Sequence, residues 1–306
     1  MRSPRSALAL LAATALALSS CGEDEPASSS SSNSSQPDAD GVCATIEAAD
    51  DLLAQICQEG TITVSTDAKY PPQSSLNRQT GEFEGFDIDV ATEIANRLGV
   101  DIAWEEPSWD LITAGSWNGR WDMSVGSMTP TNDRQEVLHF TEPYYYTPAV
   151  VVVHEDNASV NDPTTDLDGA KIGVCSGCTY QQYLDKSLEI QGFTFDFVID
   201  DAEVPGYDTD TTALQDLALG DGTRLDAVIT SSTTAQGYAD SGNPVKTVGD
   251  PVFYEPLATA FDKSAEADPT SLVEAVDGIV AEMHEDGTLS DLSKNWYDGL
   301  DLTVQQ

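Results

Sequence analysis

From Thr61 onward, short apolar segments of strand length alternate with amphipathic segments of helical period, and this alternation restricts the chain to an α/β architecture. Ile62 and Val64 alternate with polar residues over 61–66. A polar loop, 67–85, contains Pro71-Pro72. Segment 86–98 then places Val90, Ala91, Ile94 and Leu98 on one helical face, and Gly99 supplies a left-handed stop. Strands are expected at 101–104 and 121–125, with a helix from about Trp109 between them. Residues 149–153 form a continuous apolar run, the pattern of a strand covered on both faces. Further strands are expected at 171–175 and 225–229, with helices at 179–188 and 212–219. Near the C-terminus Asp268 and Pro269 open a helix whose stripe of Leu272, Val273, Val276, Ile279, Val280 and Met283 is core. Such alternation implies mostly parallel sheets, whose ligand clefts lie beyond the strands' carboxyl ends. Functional residues are therefore expected in the loops after Val64, Val125, Val174 and Ile229.

Charge removes several function classes. The 306 residues include 53 acidic and 13 basic side chains, a formal net charge of −40. That balance offers no basic footprint for nucleic acid and none for an anionic membrane surface. With 5 Trp, 10 Tyr and 8 Phe the chain has ample material for a buried core. Its length suggests about two domains. The acids are spread through loops and helix faces, which reads as a solvated surface suited to a saline setting.

Arg2 and Arg5 precede an apolar run, 7–18, that is too short to span a bilayer but suits the core of a signal peptide. Leu18-Ser19-Ser20-Cys21 resembles a bacterial lipobox, which implies lipidation of Cys21; the alternative is an ordinary signal peptide with an incidental cysteine. Residues 22–40, with Ser28 to Ser32, Pro26, Pro37 and five acids, read as an extended tether. The expected division is thus signal peptide 1–20, lipidated tether 21–42 and an N-terminal helical segment 43–59.

Four more cysteines, Cys43, Cys57, Cys175 and Cys178, point to two disulfides in an exported chain, with three possible pairings. Glycine in Cys175-Ser176-Gly177-Cys178 permits local closure. Pairing Cys43 with Cys57 conflicts with the helical spacing of Ile46, Ala49, Leu52, Leu53 and Ile56. A straight helix would hold the two sulfurs roughly 20 Å apart. The segment must bend, or the partners lie elsewhere. A zinc site would need a second cysteine pair at knuckle spacing, and His139, His154 and His284 are scattered singly. A structural disulfide at Cys175 and Cys178 is favoured over a redox site, and no metal or cofactor is expected.

Gly85-Phe86-Asp87-Ile88-Asp89-Val90 leads to Arg97-Leu98-Gly99, and Trp121-Asp122-Met123-Ser124-Val125-Gly126-Ser127-Met128-Thr129 follows. Then come Arg134, Phe140-Thr141-Glu142-Pro143-Tyr144-Tyr145 and Leu292-Ser293-Lys294-Asn295-Trp296-Tyr297. In order and spacing these resemble the solute-binding proteins of polar-amino-acid ABC importers, bacterial solute-binding protein family 3, over nearly all of 60–306. The resemblance implies a two-lobed flytrap fold of the periplasmic-binding-protein type, each lobe a mostly parallel sheet flanked by helices, joined by two hinge strands. Lobe 1 would comprise 60–148 and 253–306, and lobe 2 149–252.

The resemblance also implies a site. Arg134 matches the arginine that grips a ligand α-carboxylate, and Ser127, Met128 and Thr129 match the loop of hydroxyl and backbone donors beside it. Thr179 matches a second carboxylate contact, at a helix start. Tyr70 and Trp109 match aromatic walls, and Asp67 a residue facing a distal cation in relatives that bind basic amino acids. Cys175 replaces a commoner residue in the pocket wall. Ser231 is a departure, because the family usually sets there an Asp that pairs with the ligand's ammonium. Asp208 and Asp210, in the preceding loop, are candidates to supply the missing charge. The implied function is capture of a small polar solute, an amino acid or close relative, by a monomeric lipid-anchored receptor. It would deliver that solute to an ABC permease with its ATPase subunits. The alternative is a cyclohexadienyl or arogenate dehydratase-like enzyme, with Glu142 or Asp67 as the general acid.

Overall fold

The computed structural model describes residues 41–46 and 50–305. The basic start, the apolar run, Cys21 and the tether as far as residue 40 lie outside the described residues. One large sheet runs in the order Gly206–Tyr207, Ile172–Cys175, Ala227–Ser231, Tyr145–His154, Val245–Asp262, Met123–Met128, Thr61–Ser65 and Asp101–Glu105. Leu138–Phe140 joins it beside Val245–Asp262. Toward both edges the strands pair parallel. In the middle, Tyr145–His154 and Val245–Asp262 pair antiparallel with each other and with their neighbours.

These two long strands belong to both halves of the sheet, and each half packs its own core. On one side Val64, Val90, Ile94, Leu98, Phe261, Leu272, Val276 and Val280 form a cluster. On the other, Val151, Val153, Ile172, Val174, Tyr183 and Ile229 form a second. Full burial of each such side chain stabilises by about 1.5–3 kcal/mol, so each half has an apolar nucleus of its own. The result is the two-lobed α/β architecture, with a cleft where the strand ends of the two halves face each other.

Local chemistry explains most boundaries. The helix Phe86–Leu98 carries Asp87 and Asp89 in its first turn and Arg97 in its last, complementing the helix dipole. Gly99 ends it at φ 85°, its N–H reaching Ala95 and Asn96. Gly85 precedes it at φ 141°, and a Cβ there would lie 2.2 Å from the Gln73 carbonyl oxygen, so only glycine fits. The loop after Thr61–Ser65 is more ordered than its composition suggests. It folds into a small antiparallel sheet of Lys69–Tyr70, Ser74–Leu76 and Phe83–Glu84. The helix expected from Trp109 is short, Trp109–Thr113, and the one from Thr179 ends at Leu184.

The segment 43–59 is not one straight helix, which agrees with the bend left open above. A 3-10 turn, Val42–Ala44, is followed by a separate helix, Leu52–Glu59, which begins where the Asp51 carboxylate accepts the Ala54 N–H at 2.9 Å. Cys43, in the 3-10 turn, and Cys57, in the helix, meet in a disulfide with Cα atoms 5.2 Å apart. Cys175 and Cys178 form the second disulfide, at 5.6 Å.

Candidate ligand-binding site

A cavity of about 480 Å³, its mouth included, lies in the cleft. One side contributes Asp67, Tyr70, Trp109, Ser127, Thr129 and Arg134. The other contributes Cys175, Cys178, Thr179, Tyr180, Asp208 and Asp210, and Glu255 comes from the crossing strand Val245–Asp262.

Arg134 is presented by the short helix Asn132–Val137, whose cap Thr131 accepts the Arg134 backbone N–H. The side chain is 5% exposed. Nη1 donates to the Thr129 carbonyl at 2.9 Å and Nη2 to the Gly177 carbonyl, across the cleft, at 3.0 Å. Its Cζ lies 5.1 Å from the ring centre of Trp109, a cation–π arrangement. Burial lowers its pKa to about 10, with Glu255 opposing the shift, so the guanidinium stays charged at neutral pH.

Glu255 is 2% exposed and accepts hydroxyl donations from Thr129 and Thr179, each at 2.6 Å and both on Oε2. The two threonines stand on opposite sides of the cleft, so one carboxylate oxygen ties the lobes together. Burial pushes this carboxyl above its ordinary range, while hydroxyl donors and Arg134 pull it back. Tyr70 and Tyr180 touch hydroxyl to hydroxyl at 3.2 Å, and burial holds both phenols protonated well past neutral pH. Asp67 lines the cavity while accepting the Lys69 N–H at 3.0 Å, so it serves its own turn and faces the ligand space at once. Asp210 is buried, and its carboxyl is pushed up to about 7 by burial, with Asp67 and Glu255 adding to the rise.

Three expected site residues are placed differently. Ser127 lines the cavity, but its hydroxyl donates to Asp87 Oδ2 at 2.7 Å and lies 2.6 Å from the Tyr145 hydroxyl. Its N–H donates to the Tyr144 hydroxyl at 3.0 Å. Met128 is fully buried behind the cleft with Ile112, Trp117 and Trp121. Ser231 is fully buried as the cap of helix Ser232–Asp240, where it accepts from Gln73 Nε2 at 3.2 Å. Neither Met128 nor Ser231 lines the cavity. Glu142, named as an acid for the enzymatic alternative, is exposed and off the cavity.

Glu255 and Tyr180 were missed. Glu255 sits in a strand, where an isolated acid normally points to water; the mostly apolar stretch 256–261 after it, with Thr259 its one polar residue, is the signal that could have marked a covered strand. Asp210 lies within 4.8 Å of the sulfurs of Cys175 and Cys178, a grouping of metal-ligating type. Those sulfurs are joined to each other, so they offer no thiolate to a metal ion.

A family profile for bacterial extracellular solute-binding proteins, family 3, matches residues 62–299. The chain belongs to that family. Over 253 residues this family 3 protein is 30% identical to the L-cystine-binding protein TcyJ of Escherichia coli (strain K12), covering 82% of this chain and 88% of that one. It is 34% identical over 200 residues to the L-arginine-binding protein of Pseudomonas aeruginosa, covering 64% and 72% respectively. Among solved structures it superposes with a TM-score of 0.68 and 30% identity on the ancestral amino acid-binding protein AncCDT-1, a precursor of cyclohexadienyl dehydratase. That match covers 80% of this chain and 99% of the other. The family is extracellular by description, and no described helix of this solute-binding protein is long and apolar enough to cross a membrane.

Proposed function

We propose that this solute-binding protein captures an amino acid through its α-carboxylate and presents it to an ABC permease and its ATPase subunits. The observation that carries the reading is Arg134, a buried guanidinium that lines the cavity against an aromatic ring with no carboxylate in direct contact among the described residues. A planar two-pronged donor in such surroundings suits a ligand carboxylate, which would replace the carbonyl contacts it now makes. The first turn of Thr179–Leu184 adds backbone N–H groups on the same side as the Gly177 carbonyl. Trp109 and Tyr70 would enclose the side chain.

Contacts from both lobes meet in the cleft: Arg134 with Gly177, Thr129 and Thr179 through Glu255, Tyr70 with Tyr180, and Gln73 with Thr233 at 2.8 Å. A ligand that bridges the same two walls would favour the closed form over the open one, and the closed form is the one a permease would recognise. A lipid on Cys21 would hold this monomeric receptor at the membrane. The relatives named for cystine and arginine, and the lining acids Asp67 and Asp208, support amino acids with a charged far end as the first candidates to try.

Thermal-shift screening against the standard L-amino acids and L-cystine tests the reading. A true ligand at 100 times its Kd should stabilise by about 2.7 kcal/mol and raise the midpoint in a concentration-dependent way. Incubation with arogenate or prephenate should give no aromatic product. An unmoved midpoint across the whole panel, or turnover of either acid, contradicts the proposal.

A further inference from the structure

Ser231 cannot serve an ammonium. Its hydroxyl is spent on Gln73 and on the first turn of its own helix, and it lies off the cavity. The charge that would meet a ligand's α-ammonium must come from elsewhere among the lining acids. Asp208 is exposed, Asp67 already caps its own loop, and Glu255 has one oxygen taken by two hydroxyls.

Asp210 differs from all three. It is 6% exposed, lines the cavity, and its Oδ1 has no hydrogen-bond partner among the described residues. No lysine or arginine pairs with it among those residues, and its charged neighbours are themselves acids, Asp67 and Glu255. A buried, unpartnered carboxylate is costly unless a cation arrives.

Its position is the informative part. Thr230, the residue before Ser231 on the same strand, holds its hydroxyl close enough to favour the charged carboxylate without closing a proper hydrogen bond. The carboxylate also lies within 4.8 Å of the Cys175 and Cys178 sulfurs. That same loop carries the Gly177 carbonyl bound by Arg134. Arg134 and Asp210 thus flank one short loop, and in an α-amino acid the ammonium is only two bonds from the carboxylate carbon.

We propose that Asp210 is the carboxylate that receives the ligand's α-ammonium, taking the role that position 231 carries elsewhere in the family. The assignment rests on the amino-acid reading above. It makes Asp210 a specificity residue that separates amino acids from plain carboxylic acids of the same shape.

The test is calorimetric titration with the standard L-amino acids and L-cystine, then with the des-amino acid of the tightest binder. Asp210→Asn should weaken that amino acid by about 30-fold or more, while the des-amino acid changes by about threefold or less. Asp210→Ala, run beside it, should behave alike, so a folding failure of one variant does not decide the matter. Amino-acid affinity within threefold of wild type in both variants overturns the assignment, as do equal losses for the two ligands. If the wild type binds nothing in the panel, the amino-acid reading itself fails. Binding that survives in the variants removes only the role of Asp210.

Discussion

Arg134→Ala should weaken carboxylate-ligand binding by about 1,000-fold or more, with the lobe that carries it still folded. Two separate roles for Arg134 must be told apart. It donates to the Gly177 carbonyl across the cleft, so it helps hold the lobes closed. It also brings a buried positive charge to the cavity wall. A purely structural clasp would lose affinity equally for any ligand that needs closure, whereas a carboxylate grip loses it in proportion to the ligand's charge. Arg134→Lys separates the two further, since an ammonium keeps the charge but cannot reproduce the planar fork. The lysine variant should recover only a small part of the loss. Unchanged calorimetric affinity in Arg134→Ala would sink the site assignment.

Asp210→Asn should make the ligand-free protein more stable at pH 8, and the gain should vanish in acid. Burial, then repulsion from Asp67 and Glu255, lifts the Asp210 carboxyl from its ordinary 3.8 to about 7, with Thr230 opposing. The two phenols nearby, Tyr70 and Tyr180, stay neutral throughout this range. Between pH 4 and 7 the folded protein keeps a proton that the unfolded chain has released. This group therefore lowers stability as pH rises through that window, and the penalty is complete above it. Its full size is about 4 kcal/mol on the shift just given. Melting wild type and variant side by side from pH 4 to 8 reads the difference directly and cancels the effect of acids that do not interact with Asp210. A difference that is flat with pH, or a variant less stable at pH 8, contradicts this account of Asp210. Stability given up in the empty cleft is what a cationic ligand group would recover on binding.

The fold was readable wherever local chemistry and burial agreed. The helix at 86–98 has an apolar stripe, acids at its start, a basic last turn and a glycine stop, and the structure places it at those limits. The strand-like valines after Ala149 are fully covered because that strand lies inside the sheet. Over 43–59 the apolar spacing left open whether the segment bends; the Asp51 carboxylate starts a helix at Leu52, separate from the turn that carries Cys43, and Cys43 and Cys57 meet. Of the residues singled out by motif position, Arg134, Thr129, Thr179, Tyr70 and Trp109 line the cavity. Glu255 was not, because pairing opposite Thr147 in a crossing strand is a long-range fact. Nor could the sequence show that Ser127 is engaged by Asp87 and Tyr145. That contact joins two strands and a helix start far apart in the chain.

The central claim is that a carboxylate on Arg134 anchors the ligand. It is tested most directly by titrating the wild-type protein with its tightest amino acid and with the primary amide of that amino acid. The two differ at the group that Arg134 would hold: an anion with two acceptor oxygens against a neutral amide with one acceptor oxygen and an NH2 donor. The account predicts that the amide binds about 100-fold more weakly or worse. Equal affinities for the acid and its amide would contradict it.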